Sequence, residues 1–209
     1  MTLRRFLPVV VSAVLFSAAA VNAWAAHPYP PACTVDPCVR VCPTGDMAFH
    51  VVVRDATSKP IPFASVAVEF TQCPGVFLCP LTGSEPYSIS PPATVDMTVN
   101  FSGAADIPIR ASGICSGGLV NVYANGQLIA QRPVVASPDQ DGNAVVNATD
   151  QAIMAAKISG SYDPTADLDC DNTLGAGDAG IQNAHLGHAC SAAVPVTPGS
   201  WGRIKSIYR

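Results

Sequence analysis

Two stretches of this chain, 139–150 and 167–178, carry one pattern twice. The first puts Asp139, Asp141, Asn143 and Asp150 at positions 1, 3, 5 and 12 of a twelve-residue loop. The second puts Asp167, Asp169, Asp171 and Asp178 at the same positions. Oxygen side chains at that spacing let a short loop wrap a hard, oxygen-seeking cation. Calcium takes about six to eight oxygens, and carboxylates supply charge as well as ligands. Position 7 adds a backbone carbonyl, here from Val145 and Thr173. Position 9 often works through water: Asn147 would reach in or hold that water, while Gly175 leaves room for it. Val146 and Leu174, both apolar at position 8, are expected where one loop packs on the other. A single copy would fit a solvated Asp-rich loop. Two copies in one register favour metal, and the expected cofactor is calcium, two ions.

Gly142 tempts a different register, with the glycine as the sharp turn of position 6. That shift would put Ser137 and Ala148 at positions 1 and 12 and lose two ligands. With Asp139 as position 1, position 6 falls on Ala144 and Asn172. Asn tolerates the left-handed conformation expected there, whereas Ala costs ~1–2 kcal/mol. Loop two has four Asp and loop one has three plus Asn143, so loop two is expected to bind more tightly.

The flanks say what kind of module holds the loops. Pro133 and Pro138, with paired valines, make the approach to loop one a poor helix, and Gly160 and Pro164 do the same before loop two. Helices are expected after the loops, over 149–158 and 178–187. Ile153, Met154 and Ile158 form one apolar stripe, and Ile181 and Leu186 mark the other.

On these residues, 137–190 resembles a type I dockerin, a small calcium module that docks onto a cohesin domain. The resemblance implies near-symmetric loop-helix repeats holding two calcium ions. It also implies a cohesin-like partner met at loop positions 10 and 11, here Ala148-Thr149 and Ala176-Gly177, and along the helices. Thr149, Gln151 and Lys157 on the first helix, and Gln182, Asn183 and His185 on the second, are the polar groups offered to such a partner.

The rest of the chain is read around this module. Arg4-Arg5, an apolar run over 6–20 and Ala23-Trp24-Ala25 make 1–26 a signal peptide, which implies a secreted protein. All eight cysteines follow it, an even number suited to an oxidising compartment. Local bridges Cys73–Cys79 and Cys170–Cys190 are expected, with the pairing of the others left open. Structural zinc is the rival use of these cysteines, but their spacing is not that of a zinc ribbon.

Segment 27–136 reads as β. Phe49, Val51 and Val53 alternate with polar or small neighbours. Ala64, Val66, Val68 and Phe70 do so too, as do Val95, Met97, Val99 and Phe101. Ile107, Ile109, Val120 and Val122 follow. Period two with one apolar face means strands covering a core. Asn125-Gly126 is a strong hairpin signal between 119–124 and 127–135. Short strands with turns between them suggest an immunoglobulin-like sandwich, and 53–66 looks like bacterial invasin-type immunoglobulin-like repeats. Segment 72–93 is expected to be a long stapled loop. The fold class is therefore a mainly β N-terminal domain, an immunoglobulin-like sandwich, followed by a small α-helical dockerin-like module. Residues 191–209 form a Pro-containing linker and tail.

Catalytic chemistry is poorly supported. No Ser or Cys has an assignable His and carboxylate partner, and no carboxylate pair suggests a glycosidase. His50 lies on a polar strand face. His185 and His188, near Cys190, have the look of a metal corner, but histidines ending a helix also suit its dipole. The expected function is a secreted, non-catalytic calcium protein attached through a cohesin-like or cell-surface scaffold, with polysaccharide degradation as the setting. The alternatives are a structural or adhesion protein that calcium only stabilises, and a polysaccharide-active hydrolase. Nothing basic or aromatic is clustered enough for nucleic acid.

Overall fold

The computed structural model describes residues 27–190; the expected signal peptide, 1–26, and the expected linker and tail, 191–209, lie outside the described residues. The chain is mainly β with two helices. In order it forms β1 (Thr34–Val35), β2 (Val39–Arg40), β3 (Phe49–Val52), β4 (Ser65–Glu69), β5 (Phe77–Leu78), β6 (Ser88–Ser90) and β7 (Thr94–Thr98). Then come β8 (Ala104–Ile107), β9 (Ala111–Ser112), β10 (Cys115–Ala124), β11 (Gln127–Ala136), α1 (Ala148–Ile158) and α2 (Ala176–Ala184). A short 3-10 turn, Pro30–Ala32, precedes them.

A six-stranded sheet has the order β2-β11-β10-β4-β7-β6, and a three-stranded sheet has the order β1-β3-β8. The alternation read from sequence supplies their common core. Phe49, Val51, Val53, Val66, Val68, Val95, Ile107, Val120 and Val122 are all buried in one cluster. The β10–β11 hairpin turns at Asn125 and Gly126, with φ of 46° and 77°. These are the two left-handed residues that a turn matching the strand twist requires.

Two expectations fail in this region. Phe101 does not continue the β7 face and is 78% exposed. The Asn100 side chain accepts hydrogen bonds from the amides of Ser102 and Ala104, so the chain reverses and leaves Phe101 at the tip. Segment 72–93 is not one stapled loop. It contributes β6 to the large sheet, and β5 pairs with β9.

The disulfides join Cys38–Cys170, Cys73–Cys115 and Cys79–Cys190, not the local pairs expected. Leu78 pairs with Ala111 and the Cys79 amide donates to Arg110 O, so Cys79 lies beside β9 and away from Cys73. Cys190 is held against loop one, its amide donating to Ala144 O, while the other half of the expected bridge, Cys170, is committed to Cys38. Three disulfides are consistent with an extracellular protein. Among the described residues no helix is long and apolar enough to cross a membrane.

Candidate metal centre

β11 runs directly into loop one: Ala136 ends the strand, and Ser137 and Asp139 are fully buried. No helix enters either loop, and one leaves each. α1 begins at Ala148 and α2 at Ala176, close to the expected starts. Ala148-Thr149 and Ala176-Gly177 are therefore the first residues of the two helices. α2 ends at Ala184, earlier than expected, and Leu186 is exposed rather than part of its apolar stripe.

Both loops are closed by one hydrogen-bond scheme. Asp150 Oδ1 accepts from the amides of Gln140 (2.8 Å) and Asp141 (3.1 Å), and its Oδ2 accepts from Asn147 (2.8 Å). Asp178 repeats this with Leu168 (2.7 Å), Asp169 (3.4 Å) and Gly175 (2.9 Å). At position 1, Asp139 accepts from the amides of Gly142, Asn143 and Ala144, and Asp167 from Asp171 and Asn172. Ala144 and Asn172 stand at φ of 71° and 66°, the left-handed turn that lets position 6 fold back over the carboxylate.

These closures gather the acidic groups. Carboxylate oxygens of Asp139, Asp141 and Asp150 lie within 4.8 Å of one another, and so do those of Asp167, Asp169 and Asp171. Asn143 sits beside the first cluster, its Nδ2 donating to Asp141 Oδ2, and Thr173 beside the second, its hydroxyl donating to Asp171 Oδ1. Asp139, Asp150, Asp167 and Asp178 are buried, at 0–4% exposure. No Lys, Arg or His among the described residues forms an ion pair with them. Burial pushes the Asp139 carboxyl above its ordinary value, and the nearby Asp150 and Asp141 add to it. Asp169 is raised by desolvation and by Asp178 and Asp171 beside it. Asp171 is lowered by hydrogen bonds from Thr173. Tyr162, which sequence reasoning missed, donates its hydroxyl to Asp167 Oδ2 at 2.7 Å; burial and that bond raise its pKa to about 12.

Oxygen-only donors, clustered and carrying uncompensated negative charge, fit a hard divalent cation. Asp139, Asp141, Asn143, Asp150 and the Val145 carbonyl are the donors available in loop one. Asp167, Asp169, Asp171 and the Thr173 carbonyl are those of loop two, where Asp178, unlike Asp150, lies outside the 4.8 Å cluster. Both polar side-chain atoms of Asn147 are already hydrogen-bonded, so it does not stand free beside the carboxylates of loop one. It caps α1, with Oδ1 accepting from Thr149 N, while Nδ2 donates to Val145 O. Nor does Val146 pair with loop two. It exchanges backbone hydrogen bonds with Gly187 and His188, so loop one packs on the segment after α2.

The polar helix groups are largely committed within the chain. Lys157 Nζ binds Gln140, Thr165 and Asp163. Gln182 is buried and donates to Pro138 O, and Gln151 donates to Asn183. Between the helices a groove of about 370 Å³ is lined by Met154, Ala155, Ile158 and Ala179. His50 pairs with Asp106, its cross-strand neighbour, at 2.7 Å. Cys190 is unavailable to His185 and His188 because it is bonded to Cys79. No family model, curated protein or solved structure matches this chain.

Proposed function

We propose that this is a secreted, non-catalytic protein in which two dockerin-like calcium loops carry a helical face. Through that face an immunoglobulin-like β-sandwich attaches to a cohesin-like or cell-surface assembly, with polysaccharide degradation as its setting. One observation carries the reading. Both acidic loops are closed by the same amide scheme, each with two buried carboxylates that have no cationic partner. Calcium, when bound, neutralises this charge. The chain's own part is to hold the carboxylates in place, through Asp150 and Asp178, each of which also anchors the first turn of the helix that follows. The apolar groove between α1 and α2 is where a partner sheet would lie.

A second reading has its own support. Cys170 and Cys190 tie the helical segment to the β part, and Lys157 and Gln182 are used inside the chain. On this reading calcium acts as a structural clip and no cohesin-like partner is needed.

Calorimetric titration of the secreted chain should find two calcium ions. At a hundredfold excess over the dissociation constant, calcium bound to the folded form alone stabilises by ~2.7 kcal/mol. No calcium response at millimolar concentration rejects both readings. Calcium binding without chelator-sensitive retention of any cohesin-type domain leaves the clip.

A further inference from the structure

A cluster of different chemistry lies where the end of α2 meets the β part. Cys42 and Asp46 come from the connection between β2 and β3. His185 caps the end of α2, and His188 follows it. Cys42 Sγ lies 3.5 Å from His188 Nδ1. His188 Nδ1 lies 3.4 Å from Asp46 Oδ2, and His185 Nε2 lies 3.6 Å from Asp46 Oδ1. Ligand atoms of Cys42, Asp46 and His185 all fall within 4.8 Å of one another.

Those separations have a geometric meaning. Bonds of about 2.0–2.1 Å from zinc to N or O, and about 2.3 Å to S, put tetrahedral ligands about 3.3–3.6 Å apart. The Cys42–His188 and His188–Asp46 distances match edges of such a tetrahedron, whereas His185 Nε2 stands 3.6 Å from the other oxygen of Asp46, so the carboxylate must turn for one ion to meet both histidines. Both ring nitrogens of His185 are buried without a hydrogen-bond partner. Buried polar atoms are rarely left so, and a metal ion is one of the few things that explain it. We propose that Cys42, Asp46, His185 and His188 form a zinc site joining the helical segment to the β part.

The donor set suits that ion. Thiolate and imidazole favour zinc, whereas calcium and magnesium take oxygen. On binding, the Cys42 thiol gives its proton to solvent and both imidazoles bind neutral, so one thiolate and one carboxylate balance the charge of the ion. The Thr44 hydroxyl donates to Asp46 Oδ1 at 2.8 Å and orients the carboxylate from the second shell.

Two rivals fit less well. In a thiol nucleophile with a histidine base, the two ring nitrogens serve different partners. Here the Thr44 hydroxyl (2.9 Å), the sulfur and the carboxylate all face Nδ1 of His188, and Cys42 is fully buried, away from any substrate. Burial also pushes its thiol up to about 12, the reverse of an activated cysteine. The other rival, a disulfide with Cys33, is disfavoured because the Cys33 sulfur sits against the Arg54 carbonyl and both thiols are free.

The test uses the full secreted chain, stripped of metal and then dialysed against zinc with calcium in excess, so that failure of the calcium loops does not affect it. Elemental analysis should find one zinc per chain. Cobalt in its place should give the strong visible bands of a tetrahedral site and a thiolate charge-transfer band. Cys42→Ser should abolish that band, and His185→Gln and His188→Gln should lose the zinc. Thr44→Val should weaken it roughly tenfold. Asp139→Asn/Asp167→Asn should retain the zinc, which separates this site from the acidic loops. Wild-type protein that retains no zinc overturns the proposal without any variant having to fold. So does a Cys33–Cys42 disulfide found by peptide mapping, or unchanged zinc uptake in folded Cys42→Ser.

Discussion

Cys38, just before β2, is disulfide-bonded to Cys170, the fourth residue of the second acidic loop. Loop two is thus fastened to the β part at a point 132 residues away in sequence. Cys79–Cys190 fastens the segment beyond α2 in the same way. The helical segment therefore has little freedom to separate when calcium is removed.

Non-reducing peptide mapping should recover Cys38–Cys170, Cys73–Cys115 and Cys79–Cys190. Cys38→Ser/Cys170→Ser should destabilise the chain by ~2–4 kcal/mol, read as a lower melting temperature. Its calcium affinity should fall at loop two more than at loop one. A Cys170–Cys190 peptide would contradict this pairing.

Removing a position-12 carboxylate leaves three amide donors without an acceptor together. Asp178→Ala leaves the amides of Leu168, Asp169 and Gly175 without their acceptor, and Asp150→Ala does so for Gln140, Asp141 and Asn147. Each variant should lose on the order of 4–5 kcal/mol, taking three hydrogen bonds to a charged acceptor at their lower value. Denaturant unfolding in chelator isolates this term, since calcium then contributes nothing. A loss confined to calcium-containing buffer would mean that the amide scheme is weak by itself.

Ala144 holds φ of 71°, a conformation that costs a residue with a Cβ ~1–2 kcal/mol. Ala144→Gly should raise stability by roughly 1 kcal/mol, the relief of strain exceeding the added flexibility of the unfolded chain. Asn172→Gly should change it less, because Asn tolerates this region. Paired thermal melts of the two variants decide the order.

Glu85 and Arg110 form a buried pair, 2.8 Å apart, with side chains 6% and 7% exposed. Burial pushes the Glu85 carboxyl up, but hydrogen bonds from Thr82 and Arg110 outweigh it and hold it well below the usual carboxylate range. Its folded value therefore lies below its unfolded one. The stabilisation is complete above the unfolded value, about 4.3, and is lost as pH falls towards the folded value. Glu85→Gln should lose about 3 kcal/mol at neutral pH. It should also show a shallower fall in melting temperature below about pH 4.3 than the wild type.

Some of this was legible before any fold was known. Period-two burial of Phe49, Val51 and Val53 follows from the pleat, which sends alternate side chains to opposite faces. The Asn125-Gly126 turn and the left-handed Ala144 and Asn172 follow from local backbone rules that the spacing already expressed. Phe101 was misread because an Asx turn at Asn100 overrode the alternation.

The sequence by itself determined the two acidic loops, their register, the helices that leave them and the apolar faces of the strands. All of these depend on residues within a dozen positions of one another. Only the tertiary structure decided which cysteines meet and what stands beside His185 and His188. Cys42 and His188 are 146 positions apart, yet their ring nitrogen and sulfur are 3.5 Å apart. The local histidine spacing pointed to Cys190, which pairs with Cys79 instead. Local geometry is fixed by backbone dihedrals and short hydrogen bonds. A contact across the chain depends on how the sheets and helices pack, and no spacing in the sequence records that.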